Sequence, residues 1–116
     1  MSFDREFRRV EDIVANIDLA IAYLGDHDEA SFAADRKTMD AVERCLQRLT
    51  EAAIRIGAER MSLIAPDLPM SEVRGLGNML RHEYENIDAL TIFNTVQFDL
   101  PALKTSVAYL ADLRNG

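Results

Sequence analysis

The first 24 residues carry apolar side chains at three- and four-residue steps: Phe3, Phe7, Val10, Ile13, Val14, Ile17, Ile21 and Leu24, with Asp4, Arg8, Glu11 and Asp18 between them. That is the period of one face of an α-helix, and an amphipathic stripe of this length requires a matching surface to cover it. A second stripe, Met39, Val42, Leu46, Leu49, Ala53 and Ile56, supplies one. Gly25 tolerates the left-handed conformation of a helix C-cap, so the first helix is expected to stop there. Asp26-His27-Asp28 then forms the connection, followed by a short helical turn from Glu29 to Ala34.

The second long helix is expected to run on toward Ile64 until Pro66 and Pro69 stop it, because proline lacks an amide donor and restricts the residue before it. Ser71 can cap a third helix with Val73, Leu76, Met79 and Leu80 as its apolar stripe. After Asp88 a shorter amphipathic piece holds Leu90, Ile92, Phe93 and Val96. Asp99-Leu100-Pro101 then opens a last helix bearing Leu103, Val107, Leu110 and Leu113, with proline in its first turn. No alternating segment or internal repeat appears. The pattern predicts an all-α fold, an up-and-down helical bundle of about four main helices, in one domain over residues 1–116.

Composition narrows the function. A chain of 116 residues with 48% hydrophobic and 28% charged residues is a globular protein that gains from a partner subunit, which favours a homo-oligomer. The amino terminus has no basic stretch leading into an apolar one, and no apolar run approaches the roughly 18 residues of a membrane span, so a cytoplasmic location away from membranes is expected. The single cysteine, Cys45, excludes an intramolecular disulfide and a cysteine-based zinc cluster, and its spacing between Val42 and Leu49 places it in the core. His27, among acidic residues, is expected to be an exposed side chain.

A net charge of -7 argues against a nucleic-acid binder held by bulk electrostatics, so any RNA site must be a local basic patch. The basic residues are nearly all arginine, with Lys37 and Lys104 the only lysines, and a planar guanidinium suits bidentate phosphate contact.

The chemistry concentrates in Arg74-Gly-Leu-Gly-Asn78-Met-Leu-Arg81-His82-Glu83-Tyr84. At about 100° per residue, Asn78 lies one turn below His82 on nearly the same helix face, with Arg74 and Arg81 on its flank. His82 is the natural general acid or base near neutral pH, and an arginine beside it can stabilise charge building on phosphorus. No metal or cofactor is needed when the ribose 2′-hydroxyl attacks its own phosphodiester. Gly75 and Gly77 each weaken the helix by about 1 kcal/mol relative to alanine, which suggests close packing there, against a second subunit for instance.

The segment resembles the RNase motif of the HEPN domains, an arginine followed by a polar residue, three spacers and a histidine, and its His-x-Tyr extension in the HepT-type toxins. Asn78, His82 and Tyr84 match, whereas Gly77 stands where the arginine should be. The resemblance implies a HEPN-like bundle whose RNase site forms where two subunits meet, and a tyrosine to which a small nucleotidyltransferase antitoxin attaches AMP. Carried over by position, His82 is the acid/base group, Asn78 a supporting residue and Tyr84 the modification site. Arg74 is the favoured replacement for the missing arginine, with Arg81 in support.

The leading expectation is a metal-independent endoribonuclease toxin, homodimeric, acting on RNA and silenced by that antitoxin. The alternative is a weakly active or inactive HEPN binding module that serves as the partner subunit of a nucleotidyltransferase. A third reading, an unrelated helical interaction protein, would make the motif accidental.

Overall fold

The computed structural model describes residues 2–66, 77, 80 and 88–115, and side chains from 5 to 108 within those. The described residues are helical apart from short connections, and none lies in a strand, so the all-α expectation holds. Helix α1 spans Ser2–Leu24, α2 Glu29–Ala34, α3 Arg36–Ile56 and α4 Ala58–Ile64. Further along come α5 (Ala89–Asn94), a π-helical turn (Thr95–Asp99) and α6 (Leu100–Asn115).

The two apolar stripes meet as their periods require. α1 packs most extensively on α3 and also on α6, and Val10, Ile13, Ile17 and Ala20 are buried with Val42, Cys45, Leu46 and Leu49. Two ion pairs fasten other helices to α1. Arg60 of α4 holds Glu6 in a bidentate contact at 2.9 and 2.7 Å, and Lys104 of α6 meets Asp18 at 2.6 Å.

Each connection between the first three helices is closed by a cap. Gly25 takes φ +52° and donates its amide to the Ile21 carbonyl, which ends α1 as the sequence predicts. Asp28 accepts the Ser31 amide at 2.8 Å while the Ser31 hydroxyl oxygen accepts the Asp28 amide, a reciprocal box at the start of α2. Asp35 accepts the Thr38 amide and hydroxyl at the start of α3. These hydrogen bonds to the charged form hold the Asp28 and Asp35 carboxyls below the usual range.

Although α2 is only six residues long, Phe32 anchors it. Its ring is fully buried and packs on Phe93 of α5 at a centroid distance of 6.2 Å. The His27 ring lies at an interplanar angle of 65° to the same phenyl, with a centroid distance of 6.5 Å.

Two expectations about helix boundaries need correction. The second long helix does not run on to Ile64; it stops at Gly57, whose φ of 97° and ψ of 152° lie in a region open essentially to glycine. The hydrogen bonding is nearly continuous across it, with the Gly57 amide on Ala53 and the Gly57 carbonyl accepting from Met61, so α4 restarts at once.

The expected break before Pro101 is also absent. α5, the π turn and α6 form one helical run, in which the Leu100 amide reaches back five residues to the Thr95 carbonyl. Proline inside a helix removes a donor and its ring collides with the carbonyl four residues earlier. A widened turn just ahead of Pro101 lets the helix pass without ending.

Candidate functional site

Helix α3 is the platform for the motif segment. Gly77 is helical and buried against it: a Cβ built there would lie 3.4 Å from the Thr50 hydroxyl oxygen and 3.5 Å from the Ile54 methyl Cδ1. Three residues later Leu80 is 2% exposed, and its carbonyl accepts a hydrogen bond from the Gln47 side-chain amide at 3.3 Å. A three-residue step keeps Gly77 and Leu80 on one helix face, and that face meets Gln47, Thr50 and Ile54.

The polar groups of α3 at this contact are internally satisfied. The Thr50 hydroxyl donates to the Gln47 carbonyl at 3.0 Å, and Thr50 is 1% exposed. The Gln47 side-chain oxygen accepts from Arg44 Nη1 at 2.9 Å, so its amide group is engaged at both ends, one toward the motif segment and one toward an exposed guanidinium. Glu43 lies one turn nearer the start of α3 on the Gln47 flank. It is buried, and that burial, with Asp40 nearby, pushes its carboxyl above the usual range against the opposing pull of Arg36.

The site residues expected from the sequence, Arg74, Asn78, Arg81, His82 and Tyr84, lie outside the described residues, as does Gly75. What the structure places is the segment's contact with α3 at positions 77 and 80. Gly77 packs on Thr50 and Ile54 of the same chain at distances where a methyl group would also fit, so this contact does not itself demand glycine.

Outside the motif, His27 is not a free loop side chain. Its Nδ1 pairs with the Ser31 hydroxyl at 2.8 Å and its Nε2 with Asp35 at 3.3 Å, joining the caps of α2 and α3. Cys45 is fully buried, as its spacing suggests, and burial raises its thiol above the usual range, the opposite of what a reactive thiolate requires. Sequence reasoning did not single out Gln47 or Thr50; polar residues at the border of an apolar stripe carry no local sign that another segment will dock on them.

An all-helical bundle with Asn78, His82 and Tyr84 at those offsets, on a segment that packs against its second long helix, has the layout of the HEPN class. Comparison with known families is more specific: the description Ribonuclease HepT-like matches residues 13–110, and the chain belongs to that family. A protein named "Probable ribonuclease HepT" from Thermococcus cleftensis is 30% identical over 95 residues, 82% of this chain and 86% of that protein. From Methanocaldococcus jannaschii, "Putative RNase MJ0125" is 30% identical over 93 residues, covering 80% of this chain and 79% of its own length. A second protein from that organism, "Putative RNase MJ1216", is 28% identical over 93 residues. No solved structure gives a significant match.

Proposed function

We propose that this chain is an endoribonuclease that cuts RNA without a metal ion and acts as the toxin of a toxin–antitoxin pair. The observation that carries the reading is the family membership across residues 13–110, combined with Asn78, His82 and Tyr84 at the motif's offsets. In the first half of the reaction His82 takes the proton of a ribose 2′-hydroxyl, whose oxygen attacks the adjacent phosphorus. The P–O5′ bond breaks, the 5′-oxygen leaves with a proton, and a 2′,3′-cyclic phosphate remains. Arg74, with Arg81 in support, neutralises the extra charge on the equatorial oxygens, and Asn78 orients the group. One histidine per subunit serves both proton transfers when two subunits face a common cleft, which gives the homodimer its role. Tyr84, two residues beyond His82, is the hydroxyl to which a small nucleotidyltransferase attaches AMP.

Gly77 supports a second reading. An arginine of the family motif is replaced there by a residue that cannot contact phosphate through a side chain, so a chain that only binds the transferase is the alternative. Incubation of purified protein with total RNA in chelator, with and without His82→Ala, separates the two. The ribonuclease reading expects cyclic-phosphate ends from the wild type and none from the variant at equal folded content by circular dichroism. Wild-type protein inert on every RNA class, yet tightly bound to the transferase, would establish the binding module instead.

A further inference from the structure

We propose that the exposed ridge of α3 formed by Arg44, Arg48 and Arg55 is a track for the phosphate backbone of single-stranded RNA, leading to the segment that carries His82. The proposal rests on the ribonuclease reading above and adds to it a binding surface outside the motif.

Helical arithmetic puts the three arginines on one line. Steps of four and seven residues return close to the same angle, so Arg44, Arg48 and Arg55 stand along one face of α3, opposite Val42, Leu46 and Ala53 of the core. All three are exposed. Their Cα atoms are separated along the axis by about 6 and about 10 Å, spacings on the scale of one and two nucleotide steps of an extended strand. Arg48 and Arg55 form no ion pair with a described residue, whereas the bases Arg36, Arg60 and Lys104 are held by carboxylates. No described carboxylate neutralises Arg48 or Arg55, and Arg44 donates to the neutral Gln47 side chain, so the ridge gives a chain of net charge -7 the local basic patch that RNA binding demands of so acidic a protein.

Direction comes from Gln47. Its side chain joins Arg44 at 2.9 Å to the Leu80 carbonyl at 3.3 Å, two positions before His82 in the sequence. The ridge thus adjoins the motif segment instead of lying on a remote face. The planar fork of arginine holds two phosphate oxygens at once, and contacts of this kind fix a strand by its backbone without reading its sequence. Glu51 sits between Arg48 and Arg55 on the same line and opposes the track, which makes it a sensitive probe.

The test measures anisotropy of a fluorescent single-stranded RNA whose 2′-hydroxyls are all methylated, so that it binds but cannot be cut. Arg48→Gln/Arg55→Gln should weaken binding by about tenfold or more and reduce the slope of log affinity against log salt by about 0.7 for each arginine lost. Glu51→Gln should tighten binding by roughly two- to fivefold, a gain that misfolding cannot imitate. Arg8→Gln, an exposed arginine of α1, should leave affinity and slope unchanged. Ridge variants that bind as the wild type does, or an equal loss from Arg8→Gln, overturn the track while leaving the ribonuclease reading intact. Wild-type protein that neither binds this RNA at low salt nor cuts unmodified RNA overturns both.

Discussion

Gly77 stands against Thr50 so closely that a Cβ at position 77 would lie 3.4 Å from the threonine hydroxyl oxygen, an ordinary van der Waals distance. The position where the motif carries arginine therefore faces α3, and the glycine is compatible with one methyl group there. Glycine inside a helix is less favourable than alanine by up to about 1 kcal/mol. Gly77→Ala should accordingly be tolerated and raise the melting temperature by a few degrees, as read by circular dichroism. A destabilised Gly77→Ala protein would mean that the contact with Thr50 and Ile54 leaves no room for the methyl group.

If position 77 supplies no cation, the charge that stabilises the transition state must come from elsewhere in the segment. Arg74→Ala is expected to reduce cleavage far more than Arg81→Ala, and Arg74→Lys to be impaired as well, since an ammonium cannot replace a bidentate contact. Single-turnover rates on a defined RNA give the ranking. The reverse order would reassign the phosphate contact to Arg81.

Acid should unfold the protein through its caps. Asp28 and Asp35, through hydrogen bonds to Ser31 and Thr38, and Glu6, through its hydrogen bonds to Arg60, have folded-state pKa values below their ordinary ones. Groups of this kind contribute stability that is fully present above the ordinary carboxylate range, about pH 4, and lost as pH falls through the lowered values. Glu43 has the opposite sign: its raised pKa favours the folded state at low pH, and that contribution disappears as pH rises through the raised value. Glu43→Gln should therefore increase thermal stability at pH 7 and do so less at pH 4. Equal effects at both pH values would show that the carboxyl is not titrating in a desolvated place.

How much of this was legible in the sequence depended on how far each feature reaches along the chain. α1 and α3 were plain because many side chains repeat the same period, and Gly25 because a glycine after the last apolar step is a C-cap signal. Gly57 was not, since an isolated glycine within an apolar periodicity reads as a tolerated interruption, and only its φ of 97° makes it a break. Pro101 read as a start because proline favours the first turn; the π turn that admits it into a continuing helix depends on hydrogen-bond register, which no residue type announces. At the site, the offsets among Asn78, His82 and Tyr84 were readable as spacing. The docking of Gly77 and Leu80 on Gln47, Thr50 and Ile54 joins positions about 30 apart, and it follows from packing.

Phe32 illustrates the same point with a measurable consequence. A six-residue helix is too short to be stable alone, so α2 depends on burying this ring against Phe93. Phe32→Ala should cost about 3 to 5 kcal/mol in denaturant unfolding. A loss below about 1 kcal/mol would mean that α2 is held by the caps at Asp28 and Asp35 and not by its core residue.

The final expectation concerns control of the proposed enzyme. Attachment of AMP to Tyr84 would add a phosphate charge and a bulky base two residues from His82, where an RNA phosphate must approach, so repulsion and occlusion would act together. Protein co-produced with a neighbouring nucleotidyltransferase should carry AMP on Tyr84 by mass spectrometry, and Tyr84→Phe should keep cleavage while resisting inactivation. The chain offers an internal comparison in Tyr23, which is 46% exposed on α1 and therefore open to modification wherever exposure alone decides the target. AMP on Tyr23 as readily as on Tyr84 would indicate unselective transfer. No adduct with an active transferase and ATP would leave Tyr84 with no part in regulation.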